Sequence, residues 1–98
     1  ATNDTCPTTY TKTSNVSNCV VGNGCVIEGT VENCVIGRNV VVKEGAVIKD
    51  SIIMPDALIN KNVKMDKCVV DRLAIVTHIK ALNGSDHAPL YVKRGDRI

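Results

Sequence analysis

Between Ile36 and Ile53 the chain reads IGRNVVVKEGAVIKDSII. Its apolar positions follow neither the simple alternation of a strand with one buried face nor the recurrence of an amphipathic helix. They keep a longer beat. Ile36, Val42, Ile48, Ile53, Ile59, Met65, Val70 and Val76 are separated by steps of 6, 6, 5, 6, 6, 5 and 6. Two steps of six and one of five give a period of 17. A second marker repeats independently: Asn33-Cys34-Val35, Asp50-Ser51-Ile52 and Lys67-Cys68-Val69 lie 17 residues apart. Asn18-Cys19-Val20 precedes the first of these by 15, which predicts a shorter first coil around Glu28-Gly29-Thr30-Val31.

Six residues suit a short strand plus a turn, and three such units per period predict a triangular coil. Successive coils then stack as parallel strands about 4.8 Å apart. The marker aliphatic residue points inward. Four positions after it comes a second, often smaller inward residue: Cys25, Val40, Ala46, Val63 and Ala74. Gly37, Asn39, Gly45 and Asn62 suit corners, because these residue types adopt left-handed backbone at little cost. A single unit cannot bury its inner face, so roughly three coils or more must stack. Residues 16–81 hold about four coils. A β-sandwich would show period-2 alternation instead. The predicted fold is therefore all-β, a hexapeptide-repeat solenoid or parallel β-helix. Residues 1–15 are expected to form an N-terminal cap or linker and residues 82–98 a C-terminal capping tail.

Composition agrees. Val and Ile supply 24 residues against four Leu, and the aromatics are Tyr10 and Tyr91 alone. This favours extended backbone with thin aliphatic packing. Net charge is +2 with acids and bases interspersed, and no aromatic platform is present for stacking bases, so nucleic acid is not an expected partner. No apolar run approaches the roughly 20 residues of a membrane span. The opening ATNDTCPTTY is not a signal peptide. Five cysteines with no CxxC pair predict neither a disulfide framework nor a zinc clip, and a cytoplasmic location is expected.

Two groups of residues invite a chemical reading. Cys19, Cys34 and Cys68 share one repeat position, with Ser51 filling the same slot. A small inward slot that any small residue can fill explains this series better than a metal or redox ladder. The tail YVKRGDRI gathers Lys93, Arg94 and Arg97. With Arg72 these could hold a phosphorylated ligand, since guanidinium gives bidentate contacts to phosphate.

The ordered stretches NGCVIEGTVEN (23–33) and KDSIIM (49–54), the short first coil and the ending APLYVKRG carry a specific resemblance. Over about residues 5–98 the chain resembles the C-terminal left-handed β-helix of bacterial glucose-1-phosphate adenylyltransferase, or ADP-glucose pyrophosphorylase. The resemblance implies the left hand of the coil. It also implies a parent that makes ADP-glucose and pyrophosphate from ATP and glucose 1-phosphate, with magnesium, for glycogen synthesis. Magnesium and ATP would belong to an N-terminal nucleotidyltransferase domain outside these residues, so no cofactor and no catalysis are expected in this segment. The implied partners are that domain, other subunits in a homo- or hetero-tetramer, and a phosphorylated sugar effector. In the family an Arg near the end of the coils contacts the effector. Val70-Asp71-Arg72 matches that step, with Lys93 and Arg94 as the nearest counterparts of the basic terminal strand. The wording IEGTVEN and PLYVKRG leans toward the non-catalytic regulatory subunit of two-subunit systems. Two alternatives stay open: a free-standing hexapeptide-repeat acyltransferase using His78 as general base, and a purely structural solenoid.

Overall fold

The structure is a computed structural model and describes residues 7–98. Its first coil carries β1 (Thr9–Tyr10), β2 (Asn15–Ser17) and β3 (Val20–Val21). The second carries β4 (Val26–Ile27), β5 (Thr30–Glu32) and β6 (Val35–Ile36). The third carries β7 (Val41–Val42), β8 (Val47–Lys49) and β9 (Ile52–Ile53). The fourth carries β10 (Leu58–Ile59), β11 (Lys64–Asp66) and β12 (Cys68–Val70). The fifth carries β13 (Ile75–Val76), β14 (Ala81–Asn83) and β15 (Leu90–Val92). Equivalent strands pair in parallel and make three five-stranded sheets, the faces of a triangular prism. The first face is β1-β4-β7-β10-β13, the second β2-β5-β8-β11-β14 and the third β3-β6-β9-β12-β15. About four turns separate the first strands from the last, as the period of 17 predicts.

Each side of the triangle is three residues long and reads in, out, in. In the third coil the sides are Val40-Val41-Val42, Ala46-Val47-Ile48 and Ser51-Ile52-Ile53, and in every one the first and last residues are buried. Corners of three, three and two residues then reset the phase. Alternation is therefore present, but never long enough to register as a strand pattern. The six-residue beat is its visible remainder. The large inward column of the first face is Ile27, Val42, Ile59 and Val76, all fully buried. Val31, Ile48 and Met65 line the second face, and Ile36, Ile53 and Val70 the third. The small inward residues, among them Cys25, Ala46, Ala57 and Ala74, fill the narrow space beside the corners. Burying one Val or Ile contributes roughly 1.5–3 kcal/mol, so these columns hold the prism together.

The register shows where the repeat is edited. Val41 pairs with Leu58 and Ile52 with Val69, the regular offset of 17. Val26 pairs with Val41 and Val20 with Val35, an offset of 15. The shortening lies where the sequence places it: Glu28 alone turns the corner between Ile27 and the side Gly29-Thr30-Val31. Gly29 is buried, and a Cβ there would lie 2.5 Å from the Ala46 carbonyl oxygen. A regular coil precedes the edited one, since Thr9 pairs with Val26 at an offset of 17. The shortened coil is thus the second, not the first.

The ladder also runs past the boundaries 16 and 81 drawn from the repeat. Residues 1–6 of the expected N-terminal cap lie outside the described residues. Beyond them, Thr9 and Thr11 donate backbone bonds to Cys25 and Ile27, and the Thr13 hydroxyl bonds the Glu28 carbonyl at 2.6 Å. At the other end β15 pairs with β12, and Arg97 bridges to Ile75. Ile98 packs against the core and caps the first face.

Corners close through left-handed backbone at their last residue. Gly24, Asn39, Asp56, Leu73 and Gly95 form one such column, and Asn18, Asn33, Asp50 and Lys67 another. Gly45 and Asn62 occupy the third corner. Three of the four predicted corner residues, Asn39, Gly45 and Asn62, therefore have positive φ. Gly37 does not; its lack of a side chain serves packing, because a Cβ would meet Pro55 of the next coil at 2.7 Å.

Candidate anion-binding corner

The prism separates the sequence candidates onto three corners. The corner between the third and first faces stacks Gly37-Arg38-Asn39, Met54-Pro55-Asp56, Asp71-Arg72-Leu73 and Lys93-Arg94-Gly95. Backbone bonds fix this stacking. The amide of each left-handed residue donates to the middle residue of the coil before: Asp56 to Arg38 (3.0 Å), Leu73 to Pro55 (3.4 Å) and Gly95 to Arg72 (2.9 Å). Val70 pairs with Val92, and the same offset of 22 carries Arg72 to Arg94 and Asp71 to Lys93. Arg72, Lys93 and Arg94 therefore emerge, all exposed, at one corner of the last two coils.

Two residues that the sequence did not single out complete this corner. The Tyr91 hydroxyl donates to Asp71 Oδ2, and the Arg72 amide donates to Asp71 Oδ1 at 2.7 Å. The Tyr91 bond, then the Arg72 amide, then the guanidinium charges of Arg94 and Arg72 hold the Asp71 carboxyl below its ordinary pKa. The same hydrogen bond pushes the Tyr91 hydroxyl upward. An ionised Asp71 pinned at both oxygens leaves two guanidiniums and one ammonium facing solvent, a net excess of positive charge suited to an anion. The third feature is Leu73. It takes left-handed backbone (φ 63) where its column otherwise has Gly, Asn or Asp, and its side chain is 52% exposed. Asn and Asp enter this region cheaply, but a bulky residue such as Leu is strained there, and such strain concentrates at functional sites. Tyr91 and Leu73 both break the residue type of their columns, and that break is the signal that could have found them.

The corner between the first and second faces holds His78. It is exposed, its amide donates to the Ile98 carbonyl at 2.8 Å, and its imidazole has no hydrogen-bonding partner among the described residues. His87 lies in a loop at the remaining corner. The fold therefore does not bring either histidine to Arg72.

The cysteine slot has a backbone role. The Cys34 thiol donates to the Glu32 carbonyl at 3.0 Å, Ser51 Oγ to Lys49 at 2.8 Å, and the Cys68 thiol to Asp66 at 3.4 Å. Every slot also bonds the next coil: Cys34 N reaches Cys19 Sγ at 3.4 Å and Cys68 N reaches Ser51 Oγ at 3.1 Å, while the Cys34 and Cys68 thiols reach the Ile48 and Leu82 carbonyls at 3.5 and 3.4 Å. The slot demands a small side chain that both donates and accepts. Cys and Ser qualify, and Ala would not. Cys19, Cys25, Cys34 and Cys68 are free thiols, and burial pushes Cys34 up to about 11. Among the described residues no group of three or more His, Cys, Asp or Glu could hold a metal ion, and no helix is long and apolar enough to cross a membrane.

The outer faces differ. On the third face Val20, Val35, Ile52 and Tyr91 stack in register around Val69 and are 45–68% exposed. The second face presents Asn15, Thr30, Val47, Lys64 and Ala81 at the equivalent positions.

Comparison with known proteins fits this geometry. The glycogen biosynthesis protein GlgD of Bacillus subtilis (strain 168) is 40% identical over 89 residues, which is 91% of this chain and 26% of that protein. GlgD of Geobacillus stearothermophilus is 54% identical over 41 residues, 42% of this chain and 12% of that protein. The chain thus spans about a quarter or less of the curated relatives it matches. The GlmU-like, C-terminal hexapeptide family matches residues 5–88. Coils, corners and sequence agree: the chain belongs to this family, as a GlgD-like left-handed β-helix.

Proposed function

We propose that this chain is the assembly and regulatory domain of a glucose-1-phosphate adenylyltransferase system, in its non-catalytic, GlgD-type subunit. The observation that carries this reading is the identity to a glycogen biosynthesis protein across 91% of the chain. The geometry supplies two surfaces with distinct parts to play. The exposed apolar residues Val20 and Val35 of the third face would pack against the nucleotidyltransferase domain or a neighbouring subunit. The corner of Arg72, Lys93 and Arg94 would take a phosphorylated sugar effector. A rigid prism joining both surfaces would transmit effector binding to the catalytic partner as a change in packing. Magnesium and ATP would be held by the nucleotidyltransferase domain and not by these residues.

The test is ADP-glucose synthesis by the catalytic partner subunit, assayed with and without the full protein that contains this chain. Stimulation that rises with sugar phosphate, and falls at least about tenfold in effector affinity in Arg72→Ala/Arg94→Ala, is expected when two charge-assisted contacts are removed. Measurable turnover by the 98 residues alone would overturn the non-catalytic assignment.

A further inference from the structure

The corner between the second and third faces carries a feature that the reading above does not use. Cys68 pairs with Leu90 at an offset of 22 instead of 17, so the last coil contains five extra residues, 85–89. They fold into a short loop closed by reciprocal backbone bonds between Ser85 and Ala88. The loop stands over the third face and encloses an open groove of about 300 Å³. Ile52 and Val69 form an apolar floor, Pro89 one wall, and Asp50, Lys67, Ser85 and Asp86 a polar rim.

The charges of this rim are unbalanced. Lys67 lies 3.6 Å from Asp66 Oδ2 and 3.9 Å from Asp86 Oδ1, both loose pairs. Asp66 Oδ1 is buried with no hydrogen-bond partner. Asp50 is exposed, with no side-chain partner among the described residues. Lys67 is thus already shared between Asp66 and Asp86 while Asp50 is unpaired among the described residues, and the groove rim, with Asp50 and Asp86 against Lys67, is net negative in a chain whose net charge is +2. The corner is also strained: Lys67 takes left-handed backbone (φ 55) where the same column otherwise has Asn18, Asn33 and Asp50.

We propose that this groove docks a protein segment that presents an arginine or lysine between aliphatic residues. The alkyl stem lies over Ile52 and Val69, as long cationic side chains cover apolar surface while keeping their heads polar. The cationic head meets Asp50 and Asp86, the two carboxylates with the least competition from Lys67. The flanking aliphatic residues rest on Val69 and Pro89 within the groove. The proposal is independent of the Arg72 corner, which lies across the third face and attracts the opposite charge.

The experiment is a methyl and amide NMR titration of the 98-residue chain with acetyl-Val-Arg-Val-amide, against acetyl-Val-Glu-Val-amide as control. Expected are shifts centred on Ile52, Val69, Lys67 and Asp86, with the arginine peptide binding about two- to fivefold tighter than the glutamate peptide, the scale of an exposed ion pair. Asp50→Asn/Asp86→Asn removes that preference, and rising salt weakens it in the unmodified chain. Both substituted residues are exposed, so folding is expected to be unaffected. Equal response to the two peptides, shifts centred on the Arg72 corner, or no response at millimolar peptide overturns the proposal.

Discussion

Two columns of this prism look alike in sequence and differ in kind. The slot of Cys19, Cys34, Ser51 and Cys68 repeats in every coil from the first to the fourth, and each member bonds the backbone of its own coil and the next. The corner of Arg72 and Arg94 keeps no single residue type along its column, which runs Asn23, Arg38, Pro55, Arg72, Arg94 and is charged in consecutive coils only in the last two. The slot satisfies peptide groups that every coil possesses, so every coil must fill it. The Arg corner satisfies nothing in the fold: its side chains are exposed, and only Asp71 is held by its neighbours. In a solenoid, what recurs with the period answers the backbone, and what departs from the period is free to answer a ligand.

That distinction is sharpest in stability measurements. Ile48 is fully buried in the third coil, with neighbours above and below it. Ile48→Ala is expected to cost about 2–5 kcal/mol, the range for deleting buried methyl groups from a packed core. Arg72→Ala and Arg94→Ala should change stability by less than about 0.5 kcal/mol, as exposed substitutions do. Urea unfolding of the three variants checks both halves, and a large loss in either Arg variant would break the comparison.

The slot also predicts a pH dependence. The buried Cys34 thiol holds its proton up to about 11, against 9.0 for an ordinary thiol. Its contribution is complete below pH 9 and is lost as pH rises toward about 11. The difference between 9.0 and about 11 bounds the loss at roughly 3 kcal/mol. Unfolding free energy measured from pH 8 to pH 11 should fall across this window, and Cys34→Ser should flatten the fall. A profile that stays steep in Cys34→Ser would assign the effect elsewhere.

A smaller effect separates shape from hydrogen bonding in the slot. Ser51→Ala keeps a small side chain but leaves the Cys68 amide without its acceptor at 3.1 Å. A buried donor without a partner costs about 1–3 kcal/mol. Ser51→Cys restores the residue found in the neighbouring coils and is expected to be nearly neutral. Equal losses in Ser51→Ala and Ser51→Cys would mean that size alone defines the slot.

Much of this was legible from the residues. The inward columns, the two-residue shortening beside Glu28 and the small slot at Cys34, Ser51 and Cys68 all follow from spacing, because stacking repeats one environment at a fixed interval. Asn39, Gly45 and Asn62 announced their backbone by type. Gly37 misled because glycine serves two ends, left-handed backbone and close approach, and only the neighbouring Pro55 distinguishes them. The extent of the ladder was underread at both ends. Thr9–Tyr10 and Leu90–Val92 pair as strands although their residues break the repeat, since edge coils are anchored on one side alone. The partnership of Tyr91 with Asp71 was hidden by the five-residue loop, which shifts Tyr91 out of the 17-residue frame.

Leu73 gives the finest test, because it belongs to both columns of the argument. Its backbone must be left-handed to close the corner, as in Asn39, Asp56 and Gly95. Leucine pays roughly 1–2 kcal/mol for that conformation, and asparagine much less. Its side chain is half exposed, so little packing is lost on replacement. Leu73→Asn is therefore expected to stabilise the chain by about 0.5–1 kcal/mol, seen as a higher urea midpoint with an unchanged slope. Retaining a strained, exposed leucine beside Arg72 then calls for a reason outside the fold, and a partner surface covering it would provide one. A Leu73→Asn variant that is destabilised would mean that Leu73 packs on this corner and belongs with the repeating architecture after all.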